Sequence, residues 1–369
     1  MIILKATQEK FLAAVQAVVG IVERRHVLPI LANLLIRKTG AQTELTSSDL
    51  ELQLRTSAEL GGDGGDLAIT VGARKLADIL RAMPADQVVT LSASKNRLTL
   101  QGGRSRFTLQ TLPAEEFPLV REDADLAPAF TLQQSVVRSL LEQVVFAMAA
   151  QDIRYFLNGV LFNVDGRTLT LVATDGNRLA LAQAQLDVEL PPREVILPRK
   201  TALELLRLLR DSADRPVEMR FSATQATFRL NGIEFVSKLI DGRFPDYRRV
   251  IPAGHRHGVT LGRAPLLAGL QRASIIMSDR FRGVRLHVAP GSLRIASSNA
   301  AQEEADEGIE IDYGGEPVEI GLNVGYLIDM LANTDAEMVR MELQDALSSV
   351  LFTLPAHGGF KYVVSPMRL

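Results

Sequence analysis

Cysteine and tryptophan are both absent from this 369-residue chain. Without cysteine there are no disulfides, no thiol nucleophile and no cysteine-bound zinc or iron–sulfur cluster. Five histidines are present, and their one close pair, His255 and His257 in "GHRHG", lacks the spacing of a metal-binding helix and reads as linker. No apolar run reaches the length of a membrane span. The N-terminal "MIILKATQEKF" has no basic region followed by an apolar stretch and a cleavage site, so a cytoplasmic location is expected and no membrane partner. A basic excess is also missing: the formal net charge is −2. Any contact with nucleic acid must then come from segregated charge or from something other than affinity. Motifs for phosphate binding and acyl transfer are lacking as well. "GGDGGD" (61–66) has no lysine and no helix directly after it, so it reads as a flexible hairpin tip. No Gly-x-Ser-x-Gly elbow occurs. The acidic run "QEEADEGIE" (302–310) does not match an EF-hand loop and reads as a solvated or partner-facing strand edge.

What is present is a repeat. "ANLLIRKTGAQTELTSSDLE" from Ala32, "NGVLFNVDGRTLTLVATDGN" from Asn158 and "RGVRLHVAPGSLRIASSNAA" from Arg282 share one plan. Each is an apolar strand, a glycine-containing turn and a second alternating strand ending in a small polar turn. Leu34 to Asp49, Val160 to Asp175 and Val284 to Asn299 are each 15 residues, and the units begin 126 and 124 residues apart. A helix precedes each strand pair. Its apolar face is Phe11, Leu12, Val15, Val18, Val19 and Val22 in the first unit, and Val137, Leu140, Leu141, Val144, Val145 and Met148 in the second. In the third it is Leu266, Leu267, Leu270 and Met277. A second helix follows each turn: "GARKLADILRAM", "PRKTALELLRLL" and "NVGYLIDMLAN". The fold class is therefore α+β, with three repeated domains of two helices on antiparallel sheets. The boundaries predicted are 1–126, 127–254 and 255–369, in the polar, proline-containing stretches near 121–130 and 251–260.

The repeat bears on catalysis. "LVATDGNRLA" (171–180) places Asp175 in a turn after an apolar strand, as many hydrolases do. The same position is Asp49 in the first unit and Asn299 in the third. A short side chain that bonds the local backbone suits all three, whereas Asn is no general acid or base. No convergent set of acid, base and electrophile can be assembled, so no enzyme and no cofactor is expected. Basic residues cluster on the helices: Arg74, Lys75 and Arg81; Arg199, Lys200, Arg207 and Arg210; Arg24, Arg25, Arg138 and Arg272. They form either solvated faces or one surface presented to phosphates.

"LPILANLL", "RSRFTLQTLPAEEFP", "QDIRYFLNG", "ATDGNRLA", "SKLIDGRFPDYRRV", "FRGVRL" and "YVVSPMRL" run the length of the chain. In order and spacing they resemble the bacterial sliding-clamp family, the beta subunit of DNA polymerase III. The resemblance implies three-domain crescents closing head to tail as a homodimer ring around double-stranded DNA, with helices lining the hole. Twelve helices packed about 10 Å apart give a ring of axes about 38 Å across, leaving about 28 Å inside, enough for a duplex of roughly 20 Å. A ring holds DNA by topology, so weak phosphate contacts suffice and the modest charge is no obstacle.

Residue roles carry over by position. Arg25, Arg74, Gln151, Tyr155, Phe156 and Lys200 match DNA-contacting positions; Phe156 stands where tyrosine is common. A partner-peptide pocket between the second and third domains is implied at Leu157, Thr174, Gly176, Asn177, Arg178, Leu179, Pro245, Arg249, Val250, Leu347 and Ser349, and at the C-terminal Val363, Val364, Ser365, Pro366, Met367 and Arg368. It is a small apolar slot for Leu or Phe side chains with polar groups for the peptide backbone. Asn177 replaces an expected histidine and Ser365 an expected methionine, which bears on peptide preference. Phe107, Ile275 and Ile276 match the dimer interface, with Glu303, Glu304 and Glu307 facing Lys75, Arg104 or Arg106 across the seam. Implied partners are the DNA polymerase III catalytic subunit, a clamp-loader ATPase, and other polymerases and repair proteins carrying short linear peptides.

Overall fold

The computed structural model describes residues 2–23, 28–62, 65–209, 215–278 and 282–368. Six helices lie among them: α1 (Gln8–Val18), α2 (Ala73–Arg81), α3 (Gln134–Glu142), α4 (Arg199–Leu208), α5 (Arg263–Ala273) and α6 (Val324–Ala332). They fall two to a repeat. The apolar faces read from the sequence are the buried ones: Phe11, Val15 and Val18 on α1, Val137, Leu140 and Leu141 on α3, and Leu266 and Leu270 on α5 are all buried. Two of these faces outlast their helices. Past α1 and α3 the chain tightens into 3-10 turns, Val19–Ile21 and Val145–Ala147, which continue the buried stripe.

By contacts the chain divides into two compact units, Met1–Ser135 with Arg207–Leu239, and Val136–Leu206 with Ile240–Leu369. The first unit holds one twelve-stranded antiparallel sheet, in which the strands of the first repeat run on into Ile233–Lys238, Gln225–Leu230, Pro216–Phe221 and Phe130–Gln133. The second holds a six-stranded and a four-stranded sheet. In the six-stranded sheet Arg178–Pro198 pairs with His357–Val364; the four-stranded sheet ends on Glu304–Glu310.

The repeat extends to strand register. Asn33 pairs with Gly72, Gly159 with Pro198 and Gly283 with Asn323, in each case on the residue just before α2, α4 or α6. Each helix thus starts where a strand paired to the first strand of its repeat ends. The glycine turn recurs in the second repeat: within Gly159–Thr174, Gly166 has φ +57°, as Gly40 has +59° in the first repeat and Gly291 +75° in the third, and the register against Arg178–Pro198 shifts there.

Of "GGDGGD", Asp63 and Gly64 lie outside the described residues, and the start of the run is corrected. Gly61 and Gly62 (φ +63° and +102°) pack against the N-terminal strand, where a Cβ would lie 2.6 Å from the Lys5 carbonyl oxygen and 2.2 Å from that of Ile3. These glycines serve close backbone approach instead of flexibility. The buried Lys38 ammonium secures the same place, donating to the Ile3 and Gly61 carbonyls at 2.9 and 3.1 Å.

Candidate functional site

The turn at Asp175 is built from its own backbone. Asp175 Oδ1 accepts from Asn177 N (2.9 Å) and Arg178 N (3.1 Å). Asp49 Oδ1 does the same for Glu51 N (2.9 Å) and Leu52 N (2.7 Å), and Asn299 Oδ1 caps a turn one residue longer, accepting from Ala301 N (2.9 Å) and Glu303 N (3.0 Å). Three repeats share one side-chain cap, which asks for a carbonyl-type oxygen and no acid.

What differs at the second turn is Arg178. Its side chain is 10% exposed. Nε donates to Asp175 Oδ2 (3.0 Å), Nη1 to Asp329 Oδ2 on α6 (2.6 Å), and Nη2 to the Phe146 carbonyl (2.7 Å). The guanidinium lies 4.4 Å from the Tyr326 ring centre and 5.7 Å from that of Phe146. Burial works against its charge, yet the Tyr362 hydroxyl and the Asp329 and Asp175 carboxylates outweigh that and raise its pKa. Burial pushes the Tyr362 phenol well up, and its hydroxyl donates to the Tyr326 carbonyl at 2.9 Å. Arg178 is therefore an internal bolt with its donors turned inward, rather than an open wall presented to a ligand.

Around this bolt the residues assigned to the peptide pocket come together within one compact unit. Leu157, Leu179, Val363 and Val364 are buried, as is Thr174, whose hydroxyl donates to the Arg178 carbonyl at 2.6 Å. Leu179 and Val363 belong to a cluster with Leu161, Val172, Phe244, Tyr247 and Leu351. The exposed members are Gly176, Asn177, Pro245, Arg249, Val250 and Leu347, the last two 50% and 74% exposed. The C-terminal residues are held against the turn. Arg178 and Leu179 pair with Val364 and Val363, Ser365 N donates to the Asn177 carbonyl (2.9 Å), and Met367 N to the Gly321 carbonyl (2.8 Å). Ser349, Ser365, Pro366 and Met367 are half-buried and Arg368 is exposed. The buried members thus belong to an apolar cluster, and the exposed ones include the apolar Val250 and Leu347.

Of the residues assigned to DNA, Arg25 lies outside those described. Gln151 and Tyr155 are exposed, Gln151 with a left-handed backbone at φ +58°. Phe156 is half-buried against the apolar cluster, which leaves Tyr155 as the outward ring of the pair. Lys200 is half-buried in the first turn of α4. Arg74 is exposed at the start of α2, and its Nε donates to the Val22 carbonyl at 2.9 Å. Several helix cations have carboxylate neighbours: Arg81 with Asp78 (2.6 Å), Arg138 with Glu142 (2.9 Å) and Arg272 with Glu307 (2.6 Å). These three positive charges are thus answered locally.

The residues assigned to the dimer seam lie on two strand edges, at the start of α2 and just past the end of α5. Lys75, Arg104, Arg106 and Phe107 are exposed, as are Ile275 (78%), Glu303 and Glu304. Ile276 and Glu307 are half-buried. Glu307 is taken by Arg272 and Glu303 by Asn299, so Glu304 is the acid of the three best placed to face outward. Sequence reasoning passed over Phe146, Arg154, Tyr326, Asp329 and Tyr362, which hold the site together. Arg154 and Tyr362 sit inside segments already singled out, and Tyr326 and Asp329 on a helix already read, but no local pattern pairs any of them with the turn.

The fold defines an α+β protein built from three repeats of two helices on antiparallel sheets. Family profiles for the DNA polymerase III beta subunit match residues 3–121 (N-terminal domain), 131–246 (central domain) and 248–368 (C-terminal domain). A Vibrio cholerae "Beta sliding clamp" is 42% identical over 354 residues, 96% of each chain. The Escherichia coli K12 protein of that name is 41% identical over 362 residues, 98% of each. A Pseudomonas aeruginosa DNA polymerase III subunit beta crystal structure superposes with a TM-score of 0.95 at 40% identity, covering 99% of this chain and 100% of the other. This chain belongs to the DNA polymerase III beta subunit family, the beta sliding clamps.

Proposed function

We propose that this chain is a cytoplasmic processivity clamp of three domains, 1–126, 127–254 and 255–369, two copies of which close head to tail around duplex DNA. One observation carries the reading: the chain makes the same strand junction twice and leaves its two halves unused at the ends. Leu52–Ala58 pairs with Ile233–Lys238, joining the first repeat to the second. Arg178–Leu181 pairs with Lys361–Val364, joining the second to the third. The equivalent half-junctions are the acidic edge strand Glu304–Glu310 and the outer edge of Ser105–Leu112. Neither edge has a further strand partner along Ser105–Gln110 or Glu304–Glu310 among the described residues. An exposed edge is normally blunted or paired. Here the two are of opposite charge, and twofold symmetry satisfies both at once.

The internal junctions suggest a register. Leu52 sits opposite Ser237 and Arg178 opposite Val364. The hairpin turns align Ser237 with Leu109, so Glu303 would lie opposite the partner's Leu109. Ala305 then faces the partner's Phe107, and Glu304 is diagonal to the partner's Arg106. Ile275 and Ile276, beside this edge, supply the apolar contact.

DNA passing through such a ring meets Arg25, Arg74, Gln151, Tyr155, Phe156 and Lys200 weakly, which favours sliding over arrest. The polymerase III catalytic subunit, a clamp-loader ATPase, and other polymerases and repair proteins dock short peptides over the Leu179–Val363 floor. The test is sedimentation equilibrium of the 40.3 kDa chain over a range of concentrations, then retention on circular but not linearised DNA. A stable dimer retained on circles is expected. A monomer at every concentration would sink the ring.

A further inference from the structure

The loop Gln151–Asn158 carries residues assigned to DNA at one end and touches the peptide-site turn at the other. Its base is stapled. Asn158 clamps Asp152 in both directions, Oδ1 accepting from Asp152 N and Nδ2 donating to the Asp152 carbonyl, each at 2.9 Å. The Asn158 carbonyl accepts from Arg199 N (2.9 Å), the first residue of α4, next to Lys200. On its other side the loop abuts Gly242, where a Cβ would lie 3.3 Å from the Tyr155 ring and 3.4 Å from Phe156 Cβ. Its tip is open: Ile153 is 97% and Tyr155 56% exposed.

Arg154 connects the loop to the turn. It grips Asp152 with two prongs, Nε to Oδ1 (3.0 Å) and Nη2 to Oδ2 (2.8 Å), and the Arg154 N–H adds a third bond to Oδ1 (2.8 Å). Nη2 also donates to the Asp175 carbonyl (3.2 Å), 21 residues away. The guanidinium lies against Gly176, where a Cβ would sit 3.0 Å from both Nη atoms. Gly176 (φ +95°) therefore answers two demands, a left-handed backbone and the approach of Arg154. A local staple would stop at Asp152. Arg154 goes on to the residue whose carboxylate caps the turn and pairs with Arg178.

We propose that Arg154 is a positioning residue that couples the DNA-side loop to the peptide-side turn, so that DNA held against Gln151 and Tyr155 tightens partner-peptide binding. The inference rests on the clamp reading above. A duplex that restrains the loop restrains Asp152, hence Arg154, hence the Asp175–Gly176 turn at the pocket rim. The peptide then meets a rim already in place, and linkage makes the effect reciprocal. Direct competition between DNA and peptide for one surface would give the opposite sign.

The test measures the affinity of a short fluorescent peptide carrying Leu and Phe for the free dimer and for the dimer loaded on nicked circular duplex DNA. For the wild type, loading should tighten binding by about fivefold. Arg154→Ala should bring that ratio to one with the dimer and its melting temperature preserved, and Arg154→Lys, which keeps one donor, should restore part of it. Asp152→Asn should lower the ratio too, and carries the test if Arg154→Ala fails to fold. A merely structural role would weaken both affinities together and leave the ratio alone. A wild-type ratio of one or less, or an unchanged ratio in these variants, overturns the inference. A peptide that binds neither form overturns the pocket reading first, and the inference with it.

Discussion

The turns at Asp49 and Asp175 share a backbone and differ in what is attached to it. In both, an aspartate oxygen accepts from the N–H groups two and three residues on. Three residues after Asp49 stands Leu52, an apolar side chain buried in the strand that pairs with Ile233–Lys238. Three residues after Asp175 stands Arg178, which reaches Asp329, 151 residues later in the chain, and stacks on Tyr326. The repeat has kept the device that shapes the chain and changed the residue that the device presents.

Arg178→Ala should separate the two turns most clearly. It strands the Asp175 and Asp329 carboxylates and the Phe146 carbonyl. Breaking a buried pair costs about 3–5 kcal/mol, and the half-exposed Asp329 reduces that to about 2–3 kcal/mol. Peptide affinity should fall more than tenfold. Leu52→Ala should cost a similar amount, about 2–4 kcal/mol, through a cavity alone. Its peptide affinity should stay within error of the wild type. Urea midpoints and fluorescence polarisation on both variants check this, and a Leu52 variant that also loses peptide binding would break the comparison.

A smaller effect tests the cap itself. Asp49→Asn should be almost neutral, because Asn299 already performs this role in the third repeat. Asp175→Asn keeps the backbone cap and loses the charge facing Arg178, so about 1 kcal/mol and a few-fold loss in peptide affinity are expected. Equal melting shifts for the two substitutions would show that the Arg178 pair contributes nothing.

Much of this was legible in the sequence, for physical reasons. The helices were, because Phe11, Val15 and Val18, or Val137, Leu140 and Leu141, repeat at helical spacing and are buried. The cap was, because Asp, Asp and Asn at one repeat position share nothing but a short side-chain oxygen. Contacts between distant elements were not. Nothing local pairs Arg178 with Asp329, or Arg154 with the Asp175 carbonyl, and the run 302–310 does not announce that Arg272 already holds Glu307. The glycines at 61 and 62 misled because tight approach and looseness demand the same residue.

The smallest expected effect concerns pH, and sharpens the contrast between a structural carboxylate and a titrating switch. The hydrogen bonds from the Arg154 side chain and backbone hold the Asp152 carboxyl down at about 2. The groups facing it are Arg154 and, beyond that guanidinium, Asp175. A carboxylate whose folded pKa is depressed stabilises the fold above its unfolded value of about 4, and that contribution fades as pH falls toward the folded value. Over pH 8 to 5 Asp152 stays ionised in both states, so its contribution is constant. The ratio of peptide affinities with and without DNA should therefore be flat across that window, within about 20% of its pH 8 value. A fall of twofold by pH 5 would mean that a group other than Asp152 sets the coupling, and that Arg154 acts through something besides this ion pair.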